Sequence, residues 1–429
     1  MFRSVRQFPG RLGRVARRRP RTTLLVVAVF LVTGVSGFYG YAVWEWRAAV
    51  AAVRDGRPAD ARKKLAICLS VWPKDPNVHR LAARAARLTR DYPAAETHLN
   101  ICLKLEHGAS EDTQLEFLLM RAQTGEVEEV APLLFGYVDR RHPDSAMILE
   151  TIALVYMYHL RYGPAHFALK RWVEAYPDSA RAYHYRGWVL ERMNQPKLAL
   201  DDYLRALELE PSLDRVRIRV AEMYLEDKDA QHAFPHLEQV LARDPDQAEA
   251  LAALGQCRFL QGRHAEARQL LETAVVKLPN NSTVLLHLAR LDIADHQPAR
   301  AEVRLRRVLD NDPADTEARY VLVTALQFQK KDAEAAAELA EHDRHKALLE
   351  RANQLLQEEA RHPSRDPKVA FEIGSLLLQI RQEKQGLYWM DEALSWDPAH
   401  RPTHQALAEY FELKGDQERA AMHRRRLSK

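Results

Sequence analysis

His342, His345 and His362 are the residues of this chain that come nearest to a metal site. Two histidines three apart on a helix lie on one face and can share a ligand. No third ligand stands beside them, and their surroundings, EHDRHK, are charged and suited to solvent. No metal is expected there. The cysteines are Cys68, Cys102 and Cys257. None sits in a CxxC, CxxCH or paired Cys/His spacing, which removes the common zinc, haem and redox arrangements. The patterns GxSxG, HExxH, GxxxxGK[ST] and GxGxxG are also missing from the sequence, so no nucleophile elbow, metalloprotease helix or phosphate loop is encoded. The chain reads as a non-enzyme with no catalytic residue and no cofactor. Asn280 to Thr283 carries glycosylation acceptor patterns, but Asn and Ser there also suit a turn.

The elements that must position any functional side chain come from a repeat. Pro143, Pro177, Pro211, Pro245, Pro279 and Pro313 recur every thirty-four residues. Twenty-two residues after each comes an alanine: Ala165, Ala199, Ala233, Ala267, Ala301 and Ala335. Ten after each comes Ala153, Gly187, Ala221, Gly255, Ala289 or Val323, nearly all small. Twenty-six after comes a large residue: Leu169, Tyr203, Leu237, Leu271, Leu305 or Leu339. A fixed period of this size signals stacked supersecondary units.

Each unit encodes two amphipathic helices. After Pro177 the first carries Ala182, Tyr183, Trp188, Val189 and Leu190, and the second Leu198, Ala199, Tyr203, Leu204 and Leu207. Apolar residues at three-and-four spacing make one buried stripe per helix. Gly56, Asn194, Gly262 and Gly415 fall at the internal turn, where a left-handed residue is useful. Proline then ends each unit. Cys68 and Cys102 occupy the small position of second helices in adjacent units. Adjacent helices sit about 8–10 Å apart, beyond the roughly 7 Å a disulfide tolerates, so free buried thiols are expected.

This small, large, small and proline pattern resembles the tetratricopeptide repeat family. The register extends backward through Ala131, Ala95 and Ala61 and forward through units at 364–397 and 398–429, giving about eleven units. Gly386 replaces the alanine in the tenth unit, and the unit at Pro73 carries two extra residues. The resemblance implies an all-α, right-handed superhelical solenoid. It also implies that first helices line a concave, peptide-binding groove. The inward positions by this analogy include Met147, Met157, Tyr158, Arg181, His184, Trp188, Arg192, Phe259, Arg290, Tyr320 and Phe328. Aromatics beside arginines suit recognition of an extended or helical peptide. Several of these positions also suit packing between units. The carboxylate-clamp subtype uses Lys and Asn where His184 and Trp188 stand, so the resemblance does not extend to chaperone-tail binding.

Net charge is +4, but the first 21 residues hold eight arginines and no acid, so the remainder carries −4. A slightly acidic body is a poor fit to nucleic acid. Residues 22–44 carry no charge, and as a helix they reach about 35 Å, enough for a hydrocarbon core of about 30 Å. Phe38, Tyr39, Tyr41, Trp44 and Trp46 form an aromatic belt at the far end. Arginines before the span favour a cytoplasmic N-terminus, so the repeats are expected outside the cytoplasmic membrane; the basic residues from Arg47 to Lys64 weaken that asymmetry. The alternative is a cleaved signal peptide ending near Val35 to Gly37. Ser36 and Gly40 make a small-xxx-small pair that can support helix pairing. No flexible stalk separates the span from the first repeat.

From Asp332 to Pro363 the chain lacks glycine and internal proline, adding seventeen residues to the period. It reads as one long helix, either a hinge or partner-binding element or a tolerated kink. The last unit ends in RRRLSK with Arg424 at a normally apolar position, which reads as a polar cap, the alternative being a basic interaction tail. The expected organisation is an arginine-rich cytoplasmic segment (1–21), a signal-anchor helix (22–44), nine repeats (45–342), a helical extension (343–363) and a capped C-terminal pair (364–429). The expected function is a membrane-anchored scaffold for protein or peptide partners in envelope assembly or secretion. Self-associating spacer and non-catalytic subunit of an envelope enzyme complex are the alternatives.

Overall fold

The computed structural model describes residues 20–427, with side chains from residue 36 onward apart from Ala360. Most of the expected cytoplasmic segment lies outside the described residues. Every regular element among them is helical. The chain divides into two compact units, one ending at Ile152 and one beginning at Ala153.

In the first unit, α1 (Pro20–Arg54) runs without a break into a hairpin with α2 (Pro58–Val71), followed by α3 (Pro76–Leu88), α4 (Tyr92–Leu105), α5 (Glu111–Arg121) and α6 (Val127–Asp139). Proline at the first turn of α2 and α3 is pre-set for a helix start. Asp75 and Asp91 cap α3 and α4 by accepting from the backbone N–H groups of Asn77 and Ala94. Ala49, Ala52, Ala61, Leu65 and Cys68 form the first core cluster. All three cysteines are free and buried, and burial pushes the Cys102 thiol up to about 11. The extra length near Pro73 is spent in a five-residue turn, 106–110, where His107 and Gly108 take positive φ. A π-turn at Ala122–Glu126, with Gly125 at φ 114°, joins α5 to α6.

Among the described residues no helix is long and apolar enough to cross a membrane. Residues 22–35 of the expected 22–44 span lie outside those whose side chains are described.

Helix α7 (Ser145–Tyr158) contains the boundary between the two units. The second unit continues with α8 (Tyr162–Ala175), α9 (Ala180–Arg192), α10 (Pro196–Leu209), α11 (Asp214–Glu226), α12 (Ala230–Arg243), α13 (Ala248–Leu260), α14 (His264–Lys277), α15 (Ser282–Ala294), α16 (Pro298–Asn311) and α17 (Thr316–Phe328). The small position of the repeat is where paired helices nearly touch. A Cβ on Gly255 would lie 2.6 Å from Leu271 Cγ, and one on Gly187 would lie 2.9 Å from the Tyr203 ring.

The internal turns share one left-handed residue. Gly56, Asn194, Gly262 and Gly415 have positive φ, and so do Arg90, Leu160, Lys228, His296, Lys330 and Arg381 at the same register. The turn geometry forces this conformation. In the turn after α11, for example, Lys228 N–H donates to Leu225 C=O at 3.0 Å and Asp229 N–H to Tyr224 C=O at 2.7 Å, the paired bonds of a Schellman stop.

Helix α18 (Asp332–Arg361) is a single helix of 30 residues. Its first half pairs with α17. Its second half places Ala352 and Leu355 in a cluster with Ile373 and Leu377 of α19 (Pro367–Gln379) and Ile380 at its C-terminal cap. Gly386 of α20 (Glu383–Trp396) departs from the alanine pattern because a Cβ there would lie 2.7 Å from Leu378 Cγ. The chain closes with α21 (Arg401–Leu413) and α22 (Gln417–Leu427), where Arg424 pairs with Glu412.

Candidate functional site

Trp188 stands on the first-helix face of the repeat α9/α10, half-buried, with one edge on the core and one on solvent. The Arg192 guanidinium lies 4.9 Å from its ring, one helical turn along. Tyr162 of α8 closes the other side, its ring centroid 6.0 Å away and tilted 69°. A cation over one part of an indole and an aromatic edge on another leave the ring fixed and amphipathic, as recognition surfaces use it.

The neighbouring repeat adds charge. Arg219 of α11 bonds Glu191 at 2.6 Å, Glu226 at 2.9 Å and Glu222 at 3.1 Å. Tyr203 Oη donates to Glu191 at 2.6 Å. Burial alone would raise the Glu191 carboxyl, but the hydrogen bonds from Arg219 and Tyr203 outweigh it and hold that carboxyl below its usual range. Burial and then Glu191 push the Tyr203 phenol up. The result is a fixed carboxylate row on α9 and α11 beside the Trp188 pair.

The remaining expected face residues divide by environment. Tyr158 is 74% exposed, Phe328 62% and Tyr320 57%. Tyr320 packs one ring side on His342, 5.6 Å away. Met157 is half-buried and Arg181 exposed. Others are committed to the repeat itself. His184 lies among Tyr185 and Tyr203, and burial holds its pKa below the usual value. Phe259 sits between His264 and His287. Arg290 bonds Glu317 at 2.5 Å. In the first unit, Met147 Sδ accepts from Arg87 at 3.7 Å. Direct contact joins Trp188 to Arg192; Phe259, Arg290 and the pair Tyr320 and Phe328 stand on α13, α15 and α17.

Burial first, and then Arg290, brings His287 down to about 4. It is a neutral core ring at physiological pH and offers no acid–base chemistry there. Among the described residues no group of three or more His, Cys, Asp or Glu is placed to hold a metal ion. His342 faces Asp343 at 3.0 Å and Tyr320, while His345 is buried with Glu341 Oε1 at 3.7 Å from its Nδ1.

Arg219, Glu222 and Glu226 were not singled out by sequence reasoning. Glu191 and Arg219 lie 28 residues apart, six short of the thirty-four-residue period, so the repeat register does not mark the pair.

Family models described as tetratricopeptide repeat match residues 47–103, 180–213, 224–291 and 261–322. Among curated proteins, the chain is 27% identical over 143 residues to Protein O-mannosyl-transferase TMTC1 of Mus musculus. It is 30% identical over 138 residues to Bacteriophage adsorption protein A of Escherichia coli. Each match takes 32% of this chain and spans only 14% of the relative. Among solved structures, PilF of Pseudomonas aeruginosa is 18% identical, covering 55% of this chain and 98% of that one at a TM-score of 0.38. Human IFIT1 with a capped RNA is 17% identical, covering 81% and 88% at a TM-score of 0.40.

Proposed function

The chain belongs to the tetratricopeptide repeat family, and on that premise we propose that it is a membrane-anchored scaffold that docks protein or peptide segments on its first-helix face. The observation that carries this reading is the Trp188–Arg192 pair, 4.9 Å apart and partly open to solvent, next to the Glu191 carboxylate that Arg219 of α11 holds. Tyr158, Tyr320 and Phe328 extend exposed aromatic surface along the same helix positions. A partner segment with alternating apolar and basic residues matches this mixture of rings and carboxylates. Binding of this kind needs no covalent step.

Anchoring is the second half of the proposal. The uncharged stretch 22–44 with its arginine-rich leader is read as a retained single-pass helix in the cytoplasmic membrane, with the repeats on the extracytoplasmic side. That placement makes envelope assembly or secretion the setting.

The test is crosslinking and pull-down of full-length protein from native membranes, comparing wild type with Trp188→Ala, Arg192→Ala and Tyr320→Ala. A defined partner set, lost in the variants while their helical signal and melting are retained, supports the scaffold. Partners retained by all three variants overturn the assigned face. Recovery of self-crosslinks alone moves the assignment to a self-associating architectural spacer.

A further inference from the structure

The first repeat leaves too little of α1 free to fill a bilayer. Its second helix, α2, already engages the far end of the uncharged stretch. The Trp72 ring stands edge-on to Tyr39 at 5.4 Å. Cys68 Sγ–H points to Ala42 C=O at 3.7 Å. Lys64 Nζ bonds Glu45 at 3.0 Å and lies 5.2 Å from the Trp44 ring. These contacts set an antiparallel register, with the end of α2 and the turn Trp72–Asp75 level with Tyr39. In sequence, residues 22–38 are the part of the uncharged stretch that precedes Tyr39. At 1.5 Å per residue they supply about 25 Å against a hydrocarbon core of about 30 Å. The shortfall draws the 39–44 segment, and whatever is packed at its level, into the headgroup region.

The side chains at that level suit the interface. Phe38, Tyr39, Tyr41 and Trp44 are 52%, 54%, 45% and 59% exposed around α1. Tyr41 turns its hydroxyl to Glu45 at 2.7 Å, an apolar ring with a polar tip. Trp72 is half-buried, and exposed Pro73 and Lys74 follow it. Asp75, the acid of this turn, is bent back to cap α3 through Asn77 N–H at 2.8 Å. That leaves Lys74 as the outward charge.

We propose that the turn Trp72–Asp75 is a second membrane contact, with Trp72 at interfacial depth and Lys74 among the phosphates of lipid headgroups. The first repeat is thereby seated on the bilayer, and the direction of the repeats is set relative to the membrane plane. This rests on reading 22–44 as a retained anchor.

Two spin-label sites test it in full-length protein reconstituted into phosphatidylethanolamine/phosphatidylglycerol nanodiscs. One is Lys74→Cys. The other is Arg57→Cys, in the turn at the opposite end of the α1/α2 hairpin; both native residues are exposed, and the native cysteines are buried. The ratio of oxygen to nickel-chelate accessibility is expected to be several-fold higher at 74 than at 57. Equal, water-like ratios in protein that resists alkaline carbonate extraction overturn the contact and leave the anchor standing. Release of the protein by carbonate removes the anchor, and the contact with it.

Discussion

His79 and His98 face each other Nδ1 to Nδ1 at 3.0 Å, and His404 and His423 do the same at 2.9 Å in the last repeat. In both pairs the first histidine sits six residues after the turn proline. Its Nε2 lies 3.1 Å from that proline's carbonyl, Pro73 or Pro398. A carbonyl only accepts, so Nε2–H donates, Nδ1 of the same neutral ring accepts, and the partner's Nδ1–H fills it. Other repeats use the same two positions with different chemistry. Arg217 donates to Pro211 C=O at 2.9 Å, and Arg319 donates to Pro313 C=O at 2.6 Å and bonds Glu338 at 2.5 Å. The inter-repeat turn is tied to the first helix, and through it to the second.

The histidine pairs make this tie sensitive to acid. A second proton would set two N–H donors head-on. Burial and then the partner histidine hold His98 and His423 below their usual value, with Arg62 adding to the effect at His98. A base whose folded pKa is lowered takes up protons more readily in the unfolded chain. Its contribution to stability is therefore intact above about pH 6.5 and lost as pH falls below it. Melting temperature should drop between pH 7 and 5. His98→Asn with His423→Asn keeps an N–H donor near the Nδ1 position and removes the titration. That double variant should melt like wild type at pH 8 and lose part of the acid-induced drop; His166, His184, His236 and His287, also held down by burial, contribute to the remainder. An unchanged pH profile would refute the role of the pairs.

Glu116 is fully buried, and so is the guanidinium facing it. Arg87, 1% exposed, bonds Glu116 Oε2 at 3.0 Å, and Arg84 bonds Oε1 at 2.5 Å while also reaching Asp144. Removing one member of such a network leaves buried charge uncompensated, which costs about 3–5 kcal/mol. Glu116→Ala should therefore destabilise the first unit severely in chemical denaturation. Arg121→Ala, on an arginine whose pairs with Glu126 and Glu129 are solvent-exposed, should cost under about 1 kcal/mol. Similar losses for both would refute the buried network as a stabilising centre.

Period and chemistry were legible to different degrees. The proline register and the alanine position located both helices of each repeat, because steric demand at a crossing repeats whenever the crossing does. The uninterrupted Asp332–Arg361 helix follows from the same logic, since nothing in its sequence stops it. Exposure at the first-helix positions was not legible. His184 and Trp188 occupy inward positions of one helix and both are half-buried, yet the first packs on Tyr185 and Tyr203 and the second on Arg192 and Tyr162. What each one meets depends on the bulk of its neighbours, Tyr203 on the second helix of the same repeat and Tyr162 in the repeat before. The ion pairs were hidden for a related reason: Arg304–Glu272 and Arg290–Glu317 join residues 32 and 27 apart, and many charged residues satisfy such offsets by composition alone.

Lys228 occupies a left-handed turn position at φ 62° with an exposed side chain. A non-glycine residue there costs about 1–2 kcal/mol; glycine gives back about 0.5–1 kcal/mol through the unfolded chain. Lys228→Gly should stabilise the second unit by about 0.5–1 kcal/mol, read as a higher denaturation midpoint at unchanged slope. A lower midpoint would mean that the lysine side chain, and not the turn backbone, governs this site.

Gly255 is small for the opposite reason. Its φ is ordinary for a helix, but a Cβ would lie 2.6 Å from Leu271 Cγ, 2.8 Å from Cδ2 and 3.4 Å from the Ala267 carbonyl oxygen. Leu271 is fully buried and cannot swing into solvent. Alanine gains about 1 kcal/mol over glycine in helix propensity, while forcing extra volume into a packed crossing costs about 1–3 kcal/mol. The steric cost wins, so Gly255→Ala should lower stability and raise amide exchange in α13 and α14 first. Leu271→Ala alone should cost about 2–5 kcal/mol by opening a cavity. The double variant should cost less than the sum, because the new methyl occupies part of the space the leucine leaves. Strictly additive losses would show that the α13/α14 crossing yields by moving apart, with no direct contact between the two positions.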